Sequence, residues 1–129
     1  MERIDQLGRE VRNLSLAVRL GVSVVIAAFA IQSCVILARA PHFRTIFAEL
    51  LEGTALPVMT TFFLTFTTPI VAGSVVLALL AISAQFVFAR QVWCIPFGVF
   101  VAITTVAVAQ LANFAFQMPF FQIISSLAK

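Results

Sequence analysis

The chain has 129 residues, 62% of them hydrophobic and 10% charged, and its mean hydropathy is +1.11. Soluble globular domains run at about 45–50% apolar and about 25% charged, so this composition excludes an ordinary water-soluble domain and calls for lipid as the solvent. The net charge of +3 comes from basic residues spread over the ends of apolar segments, not gathered into a patch, which argues against nucleic acid as a partner.

Charge-free intervals separate Arg19 from Arg39, Glu52 from Arg90 and Arg90 from Lys129. Each reaches or exceeds the roughly 17–25 residues that cross hydrocarbon as a helix. Three transmembrane helices are therefore expected. Lipid leaves stray backbone polar groups unsatisfied, and the alternating segments of about ten residues that build a β-barrel are absent, so the expected fold class is all-α. Basic residues cluster before the first apolar run, which places the N-terminus in the cytoplasm.

In chain order, residues 1–19 form an amphipathic N-terminal helix. Ile4, Leu7, Val11, Leu14 and Val18 take heptad a/d spacing on one face, while Glu2, Arg3, Asp5, Arg9, Glu10 and Arg12 avoid it. So short a repeat is read as an extension of the first span packed on its neighbours. That span covers residues 20–38, with Gly21, Ser23, Ala27, Ala28 and Ala30 as small contact surfaces. Its apolar stretch is longer than a signal-peptide core and is read as uncleaved.

Residues 41–53 make a short interfacial helix. Pro41 suits a first turn, and Phe43, Ile46, Phe47, Leu50 and Leu51 recur at helical spacing opposite Arg44, Glu49 and Glu52. Gly53 is placed to cap it and Pro57 redirects the chain, so the segment is expected to lie along the membrane surface as an elbow between spans one and two.

Residues 54–89 form a second span region too long for one perpendicular crossing, with a kink near Thr65 to Pro69. The threonines Thr60, Thr61, Thr65, Thr67 and Thr68 are available to freed backbone groups. Arg19, Arg39, Arg90 and Trp93 are the expected interface anchors. The third span occupies residues 97–118, and Pro119 is expected to break or bend it before an apolar tail, residues 119–129.

The candidate functional positions are amides. Gln110, Asn113 and Gln117 fall at i, i+3 and i+7 and form a polar stripe on one face of span three. Either they bond other helices through Gln32, Gln85 or Ser83, or, with several copies around an axis, they line a path for water or ions. The first is favoured, because conducting pores more often add charged rings. One histidine, His42, and no acidic residue in any apolar span leave no ligand set for haem or zinc and no carboxylate relay. Serines and threonines lack a base and no phosphate-cradling loop is present. Neither an enzyme nor a cofactor is expected. Cys34 and Cys94 fall near opposite faces of the membrane and read as packing residues.

Two segments resemble a known family. Pro41, Phe43, Phe47, Leu56, Pro57 and Thr60, and near the end Met118, Pro119 and Phe120, resemble the F-type inner-membrane platform proteins of type II secretion and type IV pili. The resemblance implies a bacterial inner membrane and a place in a secretion-related assembly. The soluble helical bundle that such platforms carry has no counterpart in this chain. The expected function is a structural or scaffolding membrane subunit, self-associated or joined to other membrane proteins, with the bilayer around it and room for bound lipid. The alternatives are an oligomeric channel or small transporter, and a membrane immunity or regulatory protein.

Overall fold

In a computed structural model of the chain, residues 1–51, 55–88 and 92–128 are described. They form five helices: α1 (Glu2–Ala38), α2 (Ala40–Leu50), α3 (Val58–Thr65), α4 (Thr67–Val87) and α5 (Cys94–Leu127). Among the described residues there is no strand, so the fold is all-α. Three helical stretches are long and apolar enough to cross a membrane: α1 continued by α2, α4, and α5. The expected Gly53 cap and Arg90 anchor lie outside the described residues.

Prolines punctuate the helices in ways their chemistry dictates. Pro41 and Pro96 stand in the first turns of α2 and α5, where a missing N–H leaves no bond unmade. Pro57 precedes α3 in an extended conformation, φ −53° and ψ 142°. Pro69 stands in the first turn of α4, and the helix is interrupted at Phe66 between α3 and α4. The Thr67 hydroxyl donates to the Phe63 carbonyl across that break at 2.5 Å.

Pro119 is different. It sits buried inside α5, and the helix runs past it to Leu127, whereas the sequence allowed a break there. Its ring removes the N–H that the Ala115 carbonyl expects. The Thr60 hydroxyl of α3 donates to that carbonyl instead, at 2.6 Å in a buried contact.

The bundle is α1, α4 and α5. Ile26 packs with Ala78, Ala81 and Val101 in one cluster, and Leu37 with Ala112, Ala115 and Phe116 in another. Thus α1 and α5 run in the same direction and α4 runs against them. The buried apolar set is mostly alanine: Ala30, Ala40, Ala78, Ala81, Ala102, Ala109, Ala112 and Ala115. Large side chains such as Val24, Ile31, Leu79, Leu80, Phe100 and Ile103 face outward. This inverts the distribution of a water-soluble core and lets helix backbones approach closely.

Two expectations about exposed faces are corrected. The N-terminal half of α1 is a helical extension, but it packs on no neighbour among the described residues: Ile4 is 74% exposed, Val11 64% and Leu14 68%. Arg19 is the first buried residue of the helix, so Glu2–Val18, about 26 Å of helix, precedes the part that the bundle buries. The apolar face of α2, in turn, is taken by protein. Phe43 stacks on Phe116 with ring centroids 5.1 Å apart, and Phe47 meets Phe120 at 5.5 Å. The paired i, i+4 spacing means that α2 runs alongside the last third of α5. The joint at Arg39 is itself nearly helical, φ −80° and ψ −11°, so the chain makes no sharp elbow between α1 and α2.

Candidate functional site

Polar groups inside the bundle form three ties between helices. At one end Arg19 is buried, and its Nη1 donates to the Gln85 carbonyl at 2.8 Å. That carbonyl is in the last turn of α4, where a helix leaves its C=O groups without internal partners and a cation offsets the dipole. The Arg19 Nε also donates to the Ser15 Oγ at 3.3 Å. The Gln85 side chain, fully buried, donates through Nε2 to the Cys94 carbonyl at the start of α5. Its Oε1 meets no partner among the described residues, as does the Ser23 hydroxyl. Arg19 and Gln85 together therefore tie the end of α4 to α1 and to the start of α5.

Gly98 makes room for this tie. A Cβ at Gly98 would come within 2.6 Å of Gln85 Nε2 and 2.9 Å of Val22 Cγ1, so the close approach requires glycine. At mid-bundle, Ser33 is buried and its hydroxyl faces two carbonyls, Phe29 at 2.9 Å and Thr105 at 3.2 Å. Thr105 donates to the Val101 carbonyl in its own helix at 2.8 Å. The third tie is Thr60 on Ala115, next to the Phe43, Phe47, Phe116 and Phe120 cluster.

The predicted amide stripe lies elsewhere. Gln110, Asn113 and Gln117 are all exposed and share an outward face of α5, and none makes a side-chain hydrogen bond to the described residues. Gln32 is exposed on α1, and Ser83 is exposed on α4. Gln85 is therefore the one amide of the predicted set that ties helices within this chain, and it does so at the opposite end of the bundle from the stripe. Among the elbow residues, Phe47 is buried, Phe43, Ile46 and Pro57 are half-buried, and Leu50 is exposed. Of the expected anchors, Arg19 is inside the bundle, Arg39 and Trp93 are exposed, and Arg90 lies outside the described residues.

Sequence reasoning missed Gly98, Ser33 and Thr105. A signal for Ser33 was available, since Arg19, Ser23, Ile26, Ala30, Ser33 and Leu37 recur every three or four residues and are the buried face of α1. Nothing in the spacing around Gly98 announces its role, because the group it accommodates belongs to another helix. Among the described residues no cluster of His, Cys, Asp and Glu could hold a metal ion.

The segments around residues 43–60 and 116–120 meet in one place. Phe43 and Phe47 pack against Phe116 and Phe120, and Thr60 bonds the carbonyl that Pro119 leaves open. Comparisons with protein families, curated proteins and solved structures find no match to this chain.

Proposed function

We propose that the chain is a non-enzymatic integral membrane protein that serves as a structural or scaffolding subunit of an assembly, homo-oligomeric or larger. Membrane insertion is supported by the inverted packing, with alanines inside and large apolar side chains outside. The distance from Arg19 to Arg39 along α1 is about 30 Å, the thickness of a bilayer's hydrocarbon core. The excess of arginines in residues 1–19 supports a cytoplasmic N-terminus, and the platform-like segments support a bacterial inner membrane.

A single observation carries the assembly: the apolar face of Ile4, Leu7, Val11 and Leu14 projects past the bundle and is exposed. In lipid such a face costs nothing, but this one extends beyond the span into water, where burial is favourable by about 25 cal/mol per Å². The outward amides of α5 add a second unsatisfied surface. A channel lined by Gln110, Asn113 and Gln117 is less well supported. Toward Cys94 the same face continues as Ala107, Ile103 and Val99, so a path there is polar for only about 10 Å.

Two differently tagged copies, co-expressed and extracted with their surrounding lipid in polymer nanodiscs, test the proposal. Capture of one tag is expected to bring down the other, or another protein in fixed ratio. A tagged chain that emerges alone contradicts it.

A further inference from the structure

We infer that α1 pairs with α1 of a second copy, side by side and in the same direction, along one seam that runs from Ile4 to Val35. The inference rests on the assembly proposed above and names its partner. The heptad spacing of the projecting half does not stop where the bundle begins. It continues in the same register through Gly21, Val25, Ala28, Gln32 and Val35, and every one of these is exposed. The residues that α1 buries in its own bundle, Arg19 to Leu37, occupy other heptad positions on the opposite side of the helix. One helix thus carries two seams, and its own chain fills only one.

The period is informative. A strict seven-residue repeat drifts by about 20° per heptad around a straight helix, and only a left-handed supercoil with a partner keeps it on one side. Within residues 4–18, where charged residues occupy the other faces, the repeat keeps to one side. The membrane surface does not suit the projecting half either, because α1 is one uninterrupted helix from Glu2 to Ala38 and does not bend onto a plane at Arg19.

Several features select a second copy as the occupant. Copies inserted in one membrane share a direction, which a parallel pair requires. The charged residues of the projecting half all avoid a, d and e positions, and across a parallel pair the flanking Arg3 and Glu10 face Gly8 and Ser15, so no like charges meet. Gly21 and Ala28 permit close approach within the span, and Gln32 at an a position meets its own equivalent, where paired amides hydrogen-bond and fix register. A seam about 47 Å long and one helix wide buries roughly 1,000 Å² over both copies, the size at which specific interfaces begin.

Disulfide trapping in native membranes tests the seam, with the unmodified chain and its own Cys34 and Cys94 as background. Leu14→Cys and Val25→Cys are expected to give crosslinked dimers several-fold above Leu16→Cys and Leu20→Cys, which are also exposed but off the seam. Leu14→Glu, outside the bundle and so harmless to its folding, is expected to abolish co-capture of two tagged copies. Equal trapping at all four sites overturns the seam, as does trapping at Leu14 without trapping at Val25. If co-capture persists in Leu14→Glu while trapping is equal, the assembly stands and this interface falls; if the unmodified copies never co-capture and no other protein accompanies them, the assembly itself falls.

Discussion

Thr60 and Pro119 are a matched pair on different helices. Proline in a helix interior costs about 3 kcal/mol, in part because it orphans a carbonyl, and the Thr60 hydroxyl takes up that carbonyl at Ala115. Thr60→Val is therefore expected to destabilise the bundle by about 1 kcal/mol. In a Pro119→Ala background, the introduced alanine supplies its own backbone N–H to the Ala115 carbonyl, and the same Thr60 substitution is expected to cost much less. A double-mutant cycle on thermal unfolding in detergent measures the coupling. The Gly98 position makes a sharper demand. Gly98→Ala drives a methyl into Gln85 Nε2 and Val22, and a loss of about 1–3 kcal/mol is expected in the same unfolding assay. Gln85→Ala in addition to Gly98→Ala is expected to recover part of that loss, because it removes the nearest clashing atom. If Gly98→Ala is neutral, the tight approach of α5 to α1 and α4 is wrong. Neither pairing was legible in the sequence. A proline or a glycine declares a local constraint, but its compensation comes from a residue far along the chain.

At the scale of elements, helices were the legible part. Charge-free intervals and proline positions predicted three long apolar helices and a short amphipathic one, because those signals depend only on neighbours in the chain. What each face touches was less legible. The Phe43 and Phe47 face of α2 has the pattern of a surface-seeking helix, yet α5 supplies Phe116 and, past Pro119, Phe120 as partners. A helix that ends at Pro119 offers Phe116 but not Phe120, and the partner of an amphipathic face is not written in the face's own spacing. Phe47→Ala is expected to cost about 3 kcal/mol locally and to raise hydrogen exchange over residues 43–50, with α4 exchange unchanged. Unaltered exchange in α2 would show that its aromatic face is not what holds it. The heptad of α1 is visible in residues 4–18, where by itself it is too short to specify a coiled coil. The structure lengthens it, because exposure at Gly21, Val25, Ala28, Gln32 and Val35 shows a face that the bundle does not use.

For the whole molecule, the decisive property is that small apolar residues fill its interior while large ones such as Val24, Leu79 and Phe100 face outward. Eight buried alanines hold the helices close, and three polar ties, Arg19 on Gln85, Ser33 on Thr105 and Thr60 on Ala115, fix their register at the two ends and the middle. The unmet surfaces of the bundle lie outside: the projecting half of α1 and the amide stripe of α5. In the assembly proposed above, other protein covers both. Native mass spectrometry of the chain, released from lipid nanodiscs formed directly from its own membranes, tests this most directly. A mass corresponding to two or more copies, or to a fixed-ratio complex that contains them, is expected. A mass of 14.0 kDa plus lipid alone, one chain by itself, would contradict it.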